Sequence, residues 1–196
     1  MRNARNKNAT RRAAIKDYLR EYDRESHILI VDDDSSLLKF FKIHLNKFFS
    51  KIVVVDSGKE ALLAIQDREI NLVLTDIRMP KVNGLQLMKK IRKLHPEIPI
   101  LLISGEPITE EMAETVGSSD GFLAKPFSVD DLNSYLNRGV DLHLAMKELA
   151  TLLNDPSKIR TAMTCTDESI RKHVEKDSVP HARALMAKIK TMSAKL

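Results

Sequence analysis

Five short apolar runs, each stopping at a polar or charged residue and each followed by an amphipathic stretch, limit what this chain can fold into. His27-Ile28-Leu29-Ile30-Val31 stops at Asp32-Asp33-Asp34, and Lys51 to Val55 stops at Asp56. Asn71-Leu72-Val73-Leu74-Thr75 stops at Asp76, Ile98 to Ile103 at Ser104, and Gly121 to Ala124 at Lys125. Runs this short and this uniformly apolar read as strands covered on both faces. The stretches between them repeat apolar residues at helical spacing. Examples are Leu37, Leu38, Phe41, Leu45 and Phe48; Ala61, Leu62 and Ile65; and Leu87, Met88, Ile91 and Leu94. A short helix near 108–116 and one beginning Val129-Asp130-Asp131-Leu132 complete the series. Cap candidates are Ser35 or Ser36, and also Asp34, for the first helix, Asp56 or Ser57 for the second, and Ser128 for the fifth. A turn runs through Asn83-Gly84, and Pro99 suits the first positions of the fourth strand. Five β-α units joined by right-handed crossovers predict an α/β fold with an open, doubly wound, five-stranded parallel sheet.

Ligands of such sheets bind beyond the carboxyl ends of the strands. Those ends carry Asp32 and Asp33, Asp76, Ser104 and Lys125. Singly, an Asp or Ser after a strand is a turn or cap residue, and a lone Lys is a solvated charge. Together they form a chemically complete set. Converging carboxylates repel unless a cation intervenes, and oxygen donors of this kind suit Mg²⁺. A carboxylate can act as a nucleophile and become an aspartyl phosphate. A metal, a lysine and a hydroxyl then supply the charge and donors that a transferring phosphoryl group needs.

Five blocks carry a family resemblance: Ile28 to Asp34, Leu72 to Pro80, Asn83-Gly84, Ile103-Ser104-Gly105 and Phe122-Leu123-Ala124-Lys125-Pro126-Phe127. They resemble the signature blocks of response-regulator receiver domains, in that family's order and near its spacing, over roughly 26–138. The resemblance implies a flavodoxin-like receiver of a two-component system. Asp76 would accept a phosphoryl group from a phosphohistidine of a sensor histidine kinase or histidine phosphotransfer protein. Asp33 would ligate Mg²⁺ directly and Asp32 partly through water, with Asp76 and the backbone carbonyl of Arg78 as the other protein ligands. Lys125 would pair with one phosphoryl oxygen, and the Ser104 hydroxyl would reach toward another. Phe122 stands at the switch-aromatic position, although it lacks the hydroxyl often found there. Arg78 and Glu106 lie two residues after Asp76 and Ser104, at positions similar to those that tune phosphate lifetime in the family; their opposite charges predict mutual attraction across the site. The resemblance implies a signalling module that assists its own phosphorylation and dephosphorylation, not an enzyme acting on an outside substrate.

The 196 residues exceed one such domain, and the formal net charge of +5 is unevenly placed. Residues 1–25 form a basic N-terminal extension, with Arg2, Arg5, Lys7, Arg11 and Arg12 followed by a helical pattern at Ala13, Ala14, Tyr18, Leu19 and Tyr22. Residues 139–196 form a helical C-terminal extension that is also rich in Lys and Arg. The fifth helix should run past the domain end through Leu132, Tyr135, Leu136, Leu142, Leu144, Ala145, Leu149 and Leu152, and stop at Asn154-Asp155-Pro156. So long a helix needs a second apolar partner, either the last zone or another copy of the chain in a homodimer. Shorter helices are expected near 157–163, 167–176 and 180–194, the last with Ala184, Leu185, Ile189 and Met192 on one face.

Three outputs compete: protein contacts or dimerisation, DNA binding, and a scaffold that keeps the fold without switching. Leu149 to Asn154 followed by Ile159 resembles the start of a helix-turn-helix unit, but no recognition helix with a row of Arg, Asn or Gln follows. His173-Val174-Glu175-Lys176 superficially resembles a histidine phosphotransfer stretch, with Asp177 where that family has glycine. No apolar run is long enough to span a bilayer, and no secretory leader opens the chain. The single cysteine, Cys165, allows no internal disulfide, which fits a reducing, cytoplasmic setting.

Overall fold

The computed structural model describes residues 26–67, 69–153, 158–160 and 179–193. Five strands, β1 (His27–Val31), β2 (Lys51–Val55), β3 (Leu72–Asp76), β4 (Ile100–Ser104) and β5 (Gly121–Ala124), alternate with helices α1 (Ser35–Leu45), α2 (Gly58–Ala64), α3 (Gly84–Leu94), α4 (Glu110–Gly117) and α5 (Val129–Leu153). A sixth helix, α6 (Val179–Ser193), follows. All pairings are parallel and the strand order is β2-β1-β3-β4-β5. This is the doubly wound flavodoxin-like arrangement predicted above. Its order reverses between β1 and β3, where such sheets open a ligand crevice.

Side chains alternate across each strand, so one apolar run feeds two cores. Leu29, Val31, Val73, Ile100 and Leu102 pack with Ala61, Ile65, Leu87, Met88 and Ile91 from α2, α3 and the α2 end. Ile28, Ile30, Leu72, Leu74, Leu101 and Ile103 face the other way, onto Leu38, Phe41 and Leu45 of α1 and Leu132, Tyr135, Leu136 and Val140 of α5. Each fully buried Leu or Ile contributes about 1.5–3 kcal/mol relative to its exposed state. The close seat of α5 on the sheet depends on Gly139, where a Cβ would stand 2.7 Å from Leu101 Cδ1 and 3.0 Å from Leu72 Cδ1.

Helix starts follow short-range hydrogen bonding. Asp34, not Ser35 or Ser36, caps α1: its side chain accepts from the backbone N–H of Ser36 and Leu37. Ser57 caps α2. At α3 the turn residue Asn83 forms a capping box with Gln86, each side chain accepting from the other's backbone N–H. The fourth strand begins at Ile100, two residues later than expected, with Pro99 ahead of it.

The third core belongs to the extension. Leu142, Ala145, Met146, Leu149 and Leu153 of α5 pack against Ile159 and against Val179, Ala182, Leu185, Met186 and Ile189 of α6. The second partner of the long helix is therefore the chain's own last zone. Several expected core positions are corrected. Leu94 is 63% and Leu144 41% exposed, and Ala184 lies outward while Ala182 and Met186 are buried. Spacing marks an apolar stripe, but its edge is set by where the neighbouring helix actually lies. Helix α5 ends at Leu153, just before the expected stop signal. Residues 158–160 are helical, as expected for part of 157–163. The N-terminal helical pattern, Cys165, the 167–176 helix and the His173 stretch lie outside the described residues.

Candidate functional site

Strand register brings the sequence-predicted polar residues to one edge of the sheet. Val31 pairs with Thr75, Asp76 with Ile103, and Ser104 with Ala124. Asp32, Asp76, Ser104 and Lys125 therefore stand at adjacent carboxyl ends. Asp32 is 1%, Asp76 5% and Ser104 2% exposed.

Lys125 joins the two acids. Its Nζ donates to Asp32 Oδ2 and Asp76 Oδ1, each at 2.7 Å. The remaining oxygens are held by backbone: Asp34 N–H donates to Asp32 Oδ1 at 2.9 Å, and Arg78 N–H to Asp76 Oδ2 at 2.5 Å. Burial pushes the Asp76 carboxyl above its ordinary range, Lys125 and the Arg78 N–H pull it down, and the Asp32 charge adds to the upward push. Burial works against the Lys125 charge, but the bonds to Asp32 and Asp76 outweigh it and raise its pKa. One ammonium is thus shared between two buried carboxylates, which leaves the pair net negative.

The other predicted residues are placed differently. Asp33 is exposed and takes no part in the Lys125 bridge. The Ser104 hydroxyl donates to the Glu106 carbonyl and accepts from the Glu106 N–H, both at 3.1 Å, so it is occupied by its own loop. Phe122 is partly buried and packs on the core beneath α2, α3 and α4. Arg78 Nε lies 2.9 Å from Glu106 Oε2, forming the attraction expected from their charges. Both side chains are about half exposed, so the pair itself adds little stability.

Among the described residues, no three or more His, Cys, Asp or Glu side chains are arranged to hold a metal ion. The chemistry of the donors nonetheless fits a hard divalent cation. Asp32 and Asp76 are carboxylates short of positive charge, Asp33 lies beside them in the chain, and oxygen ligands of this type suit Mg²⁺.

Two features escaped the sequence reading. One is the pair of hydrogen bonds between Ser104 and Glu106, for which a Ser two residues before an acid in a turn offers only a weak signal. The other is Asp120, 1% exposed and bonded to Arg92 and Arg160, which are 28 and 40 positions away in the chain. Local sequence marks Asp120 only as a turn residue.

Residues 28–137 match the model of the response regulator receiver domain. The chain is similar to the transcriptional regulatory protein GlrR of Escherichia coli strain K12, 33% identical over 110 residues, which are 56% of this chain and 25% of that protein. It is also similar to the putative two-component response regulator ARR21 of Arabidopsis thaliana, 36% identical over 108 residues, 54% of this chain and 18% of that protein. The match thus spans about a quarter of the length of the Escherichia coli relatives. Among solved structures, the receiver domain of Francisella response regulator 1452 is 32% identical with a TM-score of 0.53, covering 59% of this chain and 97% of that one. A CheY-like receiver domain protein from Methanospirillum hungatei JF-1 is 27% identical with a TM-score of 0.57, covering 61% and 96%.

Proposed function

The chain belongs to the response regulator receiver family, and from that premise we propose that it accepts a phosphoryl group from a partner phosphohistidine onto Asp76. We assign residues 26–138 to the receiver, 1–25 to a basic N-terminal extension and 139–196 to a helical extension that delivers the output by protein contacts or dimerisation. The observation that carries the reading is the Lys125 bridge between two buried carboxylates at the switch point of the sheet.

In the proposed transfer, an Asp76 oxygen attacks phosphorus as the phosphorus–nitrogen bond to the donor imidazole breaks. The bonding pair returns to the imidazole nitrogen, and an oxygen–phosphorus bond forms on Asp76. Lys125 favours the ionised form of Asp76 against the opposing effect of burial and then pairs with a phosphoryl oxygen. The Ser104 hydroxyl gives up its bond to the Glu106 carbonyl and turns to another. Asp32, Asp33, Asp76 and the Arg78 carbonyl would hold Mg²⁺, which when bound offsets negative charge on the phosphoryl oxygens. Burial of Asp32 and Asp76 strengthens each of these electrostatic contacts. Phe122, packed against the core, would respond to the Ser104 shift by moving between two packings.

No described helix is long and apolar enough to cross a membrane, and we place the protein in the cytoplasm with a sensor kinase or phosphotransfer partner. A second reading, a DNA-binding transcriptional regulator using the C-terminal helices, draws on the names of the Escherichia coli relatives. Salt-dependent binding to duplex DNA would support it.

The deciding experiment incubates the full chain with Mg²⁺ and acetyl phosphate beside Asp76→Asn, following intact mass and oligomer size. Wild type gains one phosphoryl group and the variant gains none. A folded wild type that stays unmodified would refute the reading in favour of a scaffold. A size change on phosphorylation would point to assembly as the output.

A further inference from the structure

At the pole of the sheet opposite Asp76, a buried carboxylate fastens the helical extension to the receiver. Asp120 directly precedes β5 and is 1% exposed. Its Oδ2 accepts from Ile100 N–H of β4 at 2.9 Å and from Arg92 of α3 at 3.1 Å. Arg160 closes the cluster with a two-point fork, Nη1 to Asp120 Oδ1 at 2.6 Å and Nη2 to Oδ2 at 2.8 Å. Its Nε donates to the Pro96 carbonyl at 2.8 Å, and Arg92 also donates to the Ser118 carbonyl. Burial pushes the Asp120 carboxyl up, but Arg160 and then Arg92 more than reverse this and hold it below its ordinary range.

Arg160 differs from the other members in belonging to the extension. Its neighbour Ile159 is fully buried in the core formed by α5 and α6. Two adjacent residues thus point to opposite sides, one into the extension and one into the receiver. Planar, two-point pairing of guanidinium with carboxylate is specific in geometry, and a solvated surface contact does not need it.

The strand attached to Asp120 is the one that ends at Lys125. Among the described residues β5 pairs with β4 alone and forms the sheet edge. Its register is set by the ladder to β4, and its two ends carry the side-chain anchors, Asp120 below and Lys125 above. From Asp120 to Lys125 the extended chain advances roughly 16 Å, at about 3.3 Å per residue step.

We propose that Arg160 on Asp120 is a latch that docks the helical extension to the receiver, and that the state of the Asp76 site and the docking of the extension influence each other through β5. A load placed on Lys125 at one end is felt at Asp120 at the other, and coupling between two such sites is reciprocal. The latching half stands on the cluster alone; the coupling half rests on phosphorylation at Asp76.

The test uses the full chain, with Arg160→Met, Arg160→Lys and Asp76→Asn. Arg160→Met leaves Asp120 its bonds to Arg92 and to Ile100, so the receiver core retains its partners. Amide exchange in residues 179–193 should quicken about tenfold in Arg160→Met, the size of one 1.4 kcal/mol contact. Arg160→Lys, with charge but no fork, should fall between it and wild type. The ratio of phosphorylated to unphosphorylated chain at steady state with acetyl phosphate should change by at least about fivefold in Arg160→Met. In wild type, acetyl phosphate with Mg²⁺ should alter exchange in 179–193, and in Asp76→Asn it should not. Unchanged exchange in Arg160→Met would overturn the latch. Faster exchange with unaltered phosphorylation, and no response of 179–193 in phosphorylated wild type, would reduce the cluster to structural mortar. A wild type that takes no phosphate would overturn the receiver reading and the coupling with it, while the exchange comparison still judges the latch.

Discussion

Replacing Gly84 by alanine should damage the Asp76 site without touching any charged group. Gly84 is the first residue of α3, and its N–H donates to the Ile77 carbonyl at 3.0 Å, which folds the start of the helix back over the end of β3. A Cβ built there lies 2.1 Å from the Asp76 carbonyl oxygen and 2.9 Å from its carbonyl carbon. Carbon and oxygen in a favourable weak contact stand about 3.3 Å apart. The backbone must therefore separate by roughly 1.2 Å, and no rotamer change can relieve a clash with main chain. Overpacking of this kind costs about 1–3 kcal/mol, and the helix preference of alanine over glycine returns at most about 1 kcal/mol. The expected net loss is about 1–2 kcal/mol, read from the urea midpoint at unchanged slope. The larger effect falls on chemistry, because Asp76 is the residue displaced. A misplacement near 1 Å lowers a rate on the order of 100-fold. The acetyl phosphate reaction followed by intact mass measures that fall. A Gly84→Ala protein with wild-type stability and wild-type phosphorylation would refute both the steric reasoning and the role given to this turn.

Two further outcomes are expected. Burial, aided by the Lys147 charge, pushes His143 on α5 down to about 4; the other titratable groups lining its cleft are His27, Glu69 and Glu97. The unfolded chain then binds the extra proton between about pH 6.5 and 4, so this contribution is complete above pH 6.5 and is lost as pH falls to 4. About 2–3 kcal/mol of acid destabilisation should vanish in His143→Leu, and parallel urea midpoints across that range in the two proteins would sink the assignment. At the site mouth, the double variant Arg78→Ala, Glu106→Ala should alter the aspartyl-phosphate half-life while leaving the stability read from the urea midpoint within about 0.5 kcal/mol; an unchanged half-life would end the idea that the pair tunes phosphate lifetime.

The sequence by itself determined the layering of this protein and the identity of its strand-end residues. Alternation within runs such as Ile28 to Val31 is a local property with a period of two, and the helix stripes repeat just as locally. Both survive in the fold because each residue's face follows from its own backbone geometry. The blocks ending in Asp32, Asp76, Ser104 and Lys125 were legible for the same reason, since a strand end is also a local feature. Tertiary structure decided which of them touch. Lys125 reaches Asp32 across 93 positions and Asp76 across 49, whereas Asp33, adjacent in the chain, faces solvent. It also decided where the stripes end, exposing Leu94 and Leu144 while burying Ala182 and Met186. The Asp120 cluster lay furthest from view. A buried carboxylate is tolerable only when its counter-charges arrive, and Arg92 and Arg160 arrive from segments whose meeting point depends on how α3, β5 and the extension pack together.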